Sequence, residues 1–481
     1  VNPLAKLRGN RDDAAFDPKL IAPMVLGSVL NPVNSSMIAV ALVPIGIAFG
    51  APPAETAWLV SALYLATAVG QPVVGRLVDM YGPRRLYLVA TALVGVAGVI
   101  GALAPSLGVL VVARVLLGLG TCAGYPAAMY LIRSEAERTG RDSPGGVLTL
   151  LAVSGQTIAV VGPTLGGLLI DLGGWHSVFT VNVPLSLACL VLGARRLPKT
   201  EKRSDAGPRS DLPHSDLNSL DLPGMVLFAG TLTALLLFLM APRLDRWYLP
   251  LITVAVGATF AVRELRAPTP FVDLRVLGGN PPLLRTYLRT LLAYIVSYSY
   301  LYGLTQWLEE GRGLSASVAG LVLLPMFGVA IAVSAATGRH PQVRGKLVVG
   351  GATQVVACAL LLLLGSTSPI LLLLGVAVVV GIPQGLNGLA NQNALYRQAD
   401  PARMGSSAGL LRTFMYLGAM VASAANGAFL ATGADTAGLH RLALFMLAVA
   451  ILFLLVSVLD RALGRIGAAE PTRDTPSEAQ K

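Results

Sequence analysis

The stretch that most limits what this chain can be is 20–48, which contains no charged side chain. A helix rises about 1.5 Å per residue, so this run can cross a hydrocarbon core about 30 Å thick. Comparable runs follow at about 56–78, 85–104, 107–131, 145–171, 175–196, 222–241, 247–264, 284–308, 315–336, 346–364, 369–392, 404–431 and 440–462. In lipid every backbone polar group needs a partner inside the protein, which leaves helices or closed barrels. The runs are too long for barrel strands and lack their alternation. The expected fold is an all-α polytopic membrane protein with fourteen transmembrane helices. Composition agrees: 54% of the residues are hydrophobic and the mean hydropathy is +0.69. Only 13% are charged, against about 25% in a soluble domain. The first nineteen residues carry Lys6, Arg8, Arg11 and Lys19 but no short apolar segment with a cleavage site, so span one is expected to stay.

Charge sets the expected orientation. With the N-terminus inside, Arg243, Arg246, Arg312 and Arg441 fall outside, and Arg114 and Arg412 fall within spans. All other Lys and Arg of the 36 fall on the inner side. This bias places both termini in the cytoplasm, and it explains the net charge of +11 without invoking nucleic acid. The expected divisions are a tail 1–19, six helices in 20–196, a linker 197–221, two additional helices in 222–264, a link 265–283, six helices in 284–462 and a tail 463–481. The linker is rich in Ser, Asp and Pro. The stretch "VVGRLVDMYGPRRL" between spans two and three has a degraded echo, "AATGRHPQVRGKL" (335–347), between spans ten and eleven. Corresponding turns in two six-helix halves suggest a transporter built from repeats.

Several chemistries are disfavoured. Cys122, Cys189 and Cys358 lie in apolar runs and read as small core residues. His176, His214, His340 and His440 are dispersed, so no metal site is expected. No G-x-x-x-x-G-K-[ST] sequence occurs, so neither ATP nor any other cofactor is expected.

The turn "GRLVDMYGPRRL" (75–86) gathers Arg76, Asp79, Arg84 and Arg85 between two apolar runs. Gly75, Asp79, Gly82, Arg84 and Arg85 can bring the carboxylate near arginines and a neighbouring helix N-terminus, which would favour one conformation over another. A topology-setting basic turn is the simpler reading of the same residues. This stretch resembles the signature loop of the major facilitator superfamily, G-x-L-x-D-x-x-G-R-[KR]-[KR], with Pro83 and Met80 as departures. "RVLLGLGTCAG" (114–124) is similar to that family's span-four motif. "VVGPTLGGLLIDLGGWHSVFTVNVP" (160–184) resembles its antiporter motif and the start of span six, with His176 where Arg is usual. "PFVDLRVL" (270–277) and "GLSASVAGLVLLP" (313–325) resemble segments of the fourteen-span drug:proton antiporter branch.

The resemblance implies a major facilitator fold, two six-helix bundles plus two extra central helices, with spans one, four, nine and twelve lining a cavity. At about 100° per residue, polar residues share faces there: Asn31, Asn34 and Ser35 in span one; Arg114, Gly118, Thr121 and Tyr125 in span four. Span nine gives Tyr294, Tyr298, Tyr302, Thr305 and Glu309, and span twelve gives Gln384, Asn387 and Asn391. Gln306 joins the expected substrate contacts. Polar groups in hydrocarbon face the bundle interior or a wet cavity, where interhelical hydrogen bonding is the competing explanation. The tyrosines suit bulky, partly apolar and often cationic ligands. The branch usually carries an Asp in span one, whereas this chain reads "LNPVNSSMIAVALVP" (30–44). Glu309, on the tyrosine face, is the alternative proton site. Arg114 is deeply embedded and expected to act in structure or coupling. Arg412 is a second coupling candidate, close enough to one end to snorkel. Gly162, Pro163, Gly166 and Gly167 of the antiporter-like motif are expected in gating.

The expected function is secondary active export of small amphiphilic compounds by alternating access, coupled to protons, from a monomer in the bacterial cytoplasmic membrane. Its partners are then a small-molecule substrate, protons and the bilayer, and not nucleic acid. The alternatives are a dedicated exporter of one metabolite or lipid, with or without proton coupling, and, of another class, a membrane-embedded sensor or enzyme. The charge bias makes a direct prediction. Cysteines introduced at Ser204 and Ser477 resist an impermeant thiol reagent in intact cells, and labelling of either without lysis refutes the fourteen-span topology.

Overall fold

Continuous apolar sequence in lipid closes its backbone hydrogen bonds within each segment, and the chain does this throughout. The computed structural model describes residues 16–140, 145–199, 221–240, 244–268, 270–272, 274–338, 340, 342–430 and 434–465. Most of both tails and of the 197–221 linker lies outside the described residues. Within them the architecture is all-helical, with no strand. The first six membrane helices are α1 (Ile21–Phe49), α2 (Trp58–Tyr81), α3 (Pro83–Ala102), α4 (Leu107–Thr139), α5 (Gly145–Gly173) and α6 (His176–Arg196). Next come α7 (Leu222–Met240) and α8 (Tyr248–Arg266). The last six are α9, which begins at Pro281–Ser299, α10 (Ala316–Thr337), α11 (Val343–Leu361), α12 (Ile370–Gln398), α13 (Met404–Leu430) and α14 (Thr436–Leu459).

Thirteen of these are long and apolar enough to cross a membrane on composition alone. The exception is α9, which carries Arg285 and Arg289 and leaves α-helical geometry. It runs on through two π-helical turns, Tyr300–Leu304 and Trp307–Gly311. Its start is well specified: Asn280 accepts from the Leu283 amide at 3.2 Å, and prolines fill the first turn. Asp221 at the start of α7 and Asp435 at that of α14 do the same for Gly224 and Gly438.

Helices α1–α6 pack as one half and α9–α14 as the other. The α7–α8 hairpin is central in sequence but peripheral in space, because α7 lies across the crossing of α2 and α13. Leu236 of α7 packs with Ala68, Met415 and Tyr416. Met225, Phe228 and Leu232 reach Val69 and Val73 of α2 and Leu410 and Leu417 of α13. The hairpin's base is polar: Arg263 pairs with Asp221 at 2.5 Å, and the Val272 amide donates to Glu264 at 2.8 Å.

Arg289, which charge counting leaves at the inner side of the membrane, is fully buried in the second half. Its Nη1 donates to Asp460 at 2.7 Å, its Nη2 to Thr286 at 2.6 Å and its Nε to Asn391 at 3.3 Å. Asp460 also receives Arg285 at 3.0 Å, which ties α9 to the end of α14. Removing one member of a buried ion pair leaves an uncompensated charge and costs about 3–5 kcal/mol. Asp460→Asn therefore lowers the thermal unfolding temperature of the purified protein markedly, whereas truncation of exposed Arg85 leaves it near the wild-type value.

Candidate functional site

The turn between α2 and α3 is shaped by Gly82, whose φ of +85° is poorly accessible to other residues. One helical turn earlier, Asp79 leaves its own half of the protein. Its carboxylate accepts the Gly405 amide at 2.7 Å and the Ser406 amide at 2.8 Å, and it also accepts the Ser406 hydroxyl. The acid thus caps the N-terminus of α13, where free N–H groups and the helix dipole favour a negative charge. The approach depends on small residues, since a Cβ on Gly405 would stand 2.7 Å from Asp79 Oδ1 and from the Gly75 carbonyl. Arg84 does not face Asp79: its Nη2 donates to the Ala194 carbonyl of α6 at 2.7 Å, and Arg85 is exposed.

Farther along the same crossing, the halves meet through aromatic and polar side chains. The Thr413 hydroxyl donates to the Ala68 carbonyl at 2.8 Å. The Tyr416 hydroxyl donates to Asn31 Oδ1 at 2.8 Å, and Asn31 in turn donates to Thr121 at 3.0 Å. The Tyr64 and Tyr416 rings lie 5.8 Å apart. Along α9, Tyr294 and Tyr298 are 5.9 Å apart and Tyr298 and Tyr302 5.6 Å. Arg412 of α13 sets its guanidinium over the Tyr125 ring of α4 at 4.0 Å. Tyr64, Tyr125, Tyr294, Tyr298, Tyr302 and Tyr416 therefore surround the meeting of the two halves, and Tyr302 is 40% exposed at its outer edge. From the Asp79 end to this depth the halves are joined, with further contacts at Arg133–Tyr396 and Gln156–Ser334.

The predicted residues divide into two groups. Asn31, Tyr125, Tyr294, Tyr298, Tyr302 and Arg412 come together at the central interface, and Arg412 packs on Tyr125 rather than snorkelling to a surface. Others are spent inside one half. Asn34 donates to Asn182 at 2.7 Å, and Arg114 donates to the carbonyls of Leu59 and Asn34. On α12, Gln384 accepts from Ser297, Asn387 donates to Gln354 and Asn391 accepts from Arg289. These bonds hold α12 to α9 and α11, because its polar face turns into its own bundle. Gly162 and Gly166 face Ser36, Met37 and Val40 of α1; Gly167 meets no neighbour, and Pro163 lies between them on the same helix.

The π-turns of α9 change the reading of its outer end. Each adds a residue to a turn and moves the following side chains by about 100°. The α-helical spacing that put Glu309 on the tyrosine face does not hold beyond Tyr300. Gln306 follows Tyr302 instead, and its side chain donates to Glu310 at 3.2 Å. Tyr64 and Tyr416 lie on α2 and α13, outside the four cavity-lining spans that the family resemblance implies. Their only sequence signal is a tyrosine in the middle of an apolar run.

The sequence profile of the Major Facilitator Superfamily matches residues 24–423. An uncharacterized MFS-type transporter, YwoD of Bacillus subtilis (strain 168), is 33% identical over 82% of this chain and 86% of its own. The cephamycin export protein CmcT of Amycolatopsis lactamdurans is 30% identical over 89% of this chain and 90% of its own. Among solved structures, the human organic anion transporter MFSD10 superposes with a TM-score of 0.63 at 15% identity, over 91% of this chain and 99% of that one.

The cap on α13 carries its own prediction. Charge-assisted hydrogen bonds contribute about 1.5–3 kcal/mol, so Asp79→Asn raises the labelling rate of a cysteine placed at Ser407 about tenfold or more. An unchanged rate in a well-folded variant leaves the turn as a topology signal alone.

Proposed function

The chain belongs to the major facilitator superfamily, and from that premise we propose that it exports small amphiphilic compounds by alternating access, as a member of the fourteen-span drug:proton antiporter branch. The observation that carries this reading is the pairing of a breakable cap with an aromatic interface. Asp79 joins the halves at one end through backbone amides of α13. Those amides can be rehydrated when the halves part, so little is lost by exchange. Beyond them the tyrosines offer flat apolar faces with hydroxyls at their edges, which suits ligands that are part apolar and part polar. Tyr302 is 40% exposed, and it lies farther along α9 from the inner end than Tyr294 and Tyr298. With the Asp79 turn in the cytoplasm, as the charge bias indicates, this is an outward-facing arrangement. Rocking one half against the other about the tyrosines would expose them to the inner side.

The export direction draws support from the cephamycin export protein among the relatives. Proton antiport draws support from the family resemblance, with Glu309 and Glu310 as carboxylates at the open mouth. The test is flux of amphiphilic dyes from proteoliposomes containing the full chain, with and without an imposed pH gradient. Gradient-stimulated movement is expected, and Glu310→Gln, on the Gln306 face, is expected to reduce it more than Glu309→Gln. Equal rates with and without protein refute transport of these compounds. Protein-dependent flux indifferent to the gradient refutes proton coupling.

A further inference from the structure

Among the described residues, the central interface holds a cation, Arg412, that no carboxylate pairs with. Arg412 is the sole charged residue of α13. Its guanidinium face lies on Tyr125 and its Nη1 reaches Met415 Sδ at 3.4 Å. Guanidinium carries five N–H donors, and a thioether is a weak acceptor, so most of this capacity is unspent. Arg412 is half-buried and lies near enough to Tyr298 and Tyr416 to interact with both electrostatically. Among the described residues no carboxylate forms an ion pair with it. The helix α1 is uncharged throughout, as is α10, and α12 contributes only Arg397 near its end. Asp79 is engaged with Gly405 and Ser406, about 10 Å back along α13. Glu309 and Glu310 belong to the opposite end of α9. Asp460 and Asp221 are paired with other arginines. A second cation adds to the field: Arg114, buried in α4, donates only to carbonyls and acts on Tyr64.

An uncompensated charge within a membrane protein is costly and marks a functional position. Here the missing partner has a definite form. It must bring an anionic group to the edge of a guanidinium whose face is already stacked, while its body meets tyrosine rings. We propose that the substrates of this transporter are aromatic or otherwise apolar organic anions, carboxylates or phenolates, whose charge is received by Arg412. Arginine suits this role because its planar fork binds a carboxylate through two parallel hydrogen bonds. The tyrosines alone would also accept cations, but two arginines without a nearby acid disfavour them. The proposal rests on the transport reading above and narrows it to one charge class.

The experiment uses three probes with one aromatic body: pyrene-1-butyrate, its primary amide and pyrenebutyl-trimethylammonium. Binding to the purified full chain and protein-dependent flux in proteoliposomes are both measured, with protein-free vesicles as the baseline. The carboxylate is expected to bind about tenfold or more tightly than the amide, as a charged hydrogen-bond pair allows, and the cation more weakly than either. Arg412→Gln lowers carboxylate affinity far more than amide affinity, so that the preference falls to about twofold or less, and Arg412→Lys keeps part of the preference. The wild-type ranking alone tests the proposal if Arg412→Gln fails to fold. A cation that binds as well as the anion overturns it, as does an anion preference that survives Arg412→Gln or the absence of any anion binding. Flux of the amide or cation without flux of the anion overturns the charge assignment and leaves transport standing. No protein-dependent flux of any probe counts against both.

Discussion

Asp79 on the N-terminus of α13 is the contact on which the arrangement of the two halves depends. A carboxylate from α2 takes up amides that an isolated helix end leaves free, and the α13 dipole favours its charge. The crossing is close because Gly75 and Gly405 have no side chains to hold the backbones apart. Docking at this end brings Thr413 to Ala68 and then Tyr416 to Tyr64 and Asn31, each roughly a turn or two farther along. The tyrosine interface follows from where the acid anchors α13. Exposed to water instead, the same amides and carboxylate would be well solvated, so the contact suits reversible use.

Polar groups within the membrane fall into two populations with different physical roles. Those within a half bond mainly to one another: Asn34 with Asn182, Arg114 with two carbonyls, Asn387 with Gln354, Arg289 with Asp460. Such bonds are hard to exchange, since the alternative in a dry interior is an unpaired group. They favour each half moving as a unit. Those between the halves are the Asp79 cap, a few hydroxyl and amide side chains, and the guanidiniums of Arg133 and Arg412 stacked on tyrosines, groups that can pass to a ligand or to water with little loss. This division, rigid within and exchangeable between, is what a rocking mechanism needs.

The α7–α8 hairpin adds to this scheme without interrupting it. Its contacts with α2 and α13 are apolar, through Met225, Phe228, Leu232 and Leu236. Dispersion contacts are non-directional and can re-form after a small slide, unlike a hydrogen-bonded seam. Its polar residues Asp221, Arg263 and Glu264 are gathered at its own base. The hairpin is thus held together internally while it lies against α2 and α13.

Fourteen helices were legible in the sequence because hydrocarbon thickness and backbone satisfaction leave few alternatives to a long apolar run. Gly82 and Asp79 were legible as a special turn, since charge is rare in such a chain and its concentration stands out. What a polar side chain faces was not legible. Asn31 and Asn34 lie three residues apart on α1, yet one meets the opposite half and the other is consumed by Asn182. Arg412 sits at the central interface, and Arg289, read as a loop charge, lies in a buried network. Tyr64 and Tyr416 entered the site only when α2 crossed α13, and the π-turns of α9 changed the phase on which Glu309 had been judged. The sequence by itself determined a membrane-spanning helical chain with a signature turn, because local hydropathy decides what lipid will accept. Which side chains converge was decided by the tertiary structure, because helical periodicity fixes a face but not the neighbour against which that face is packed.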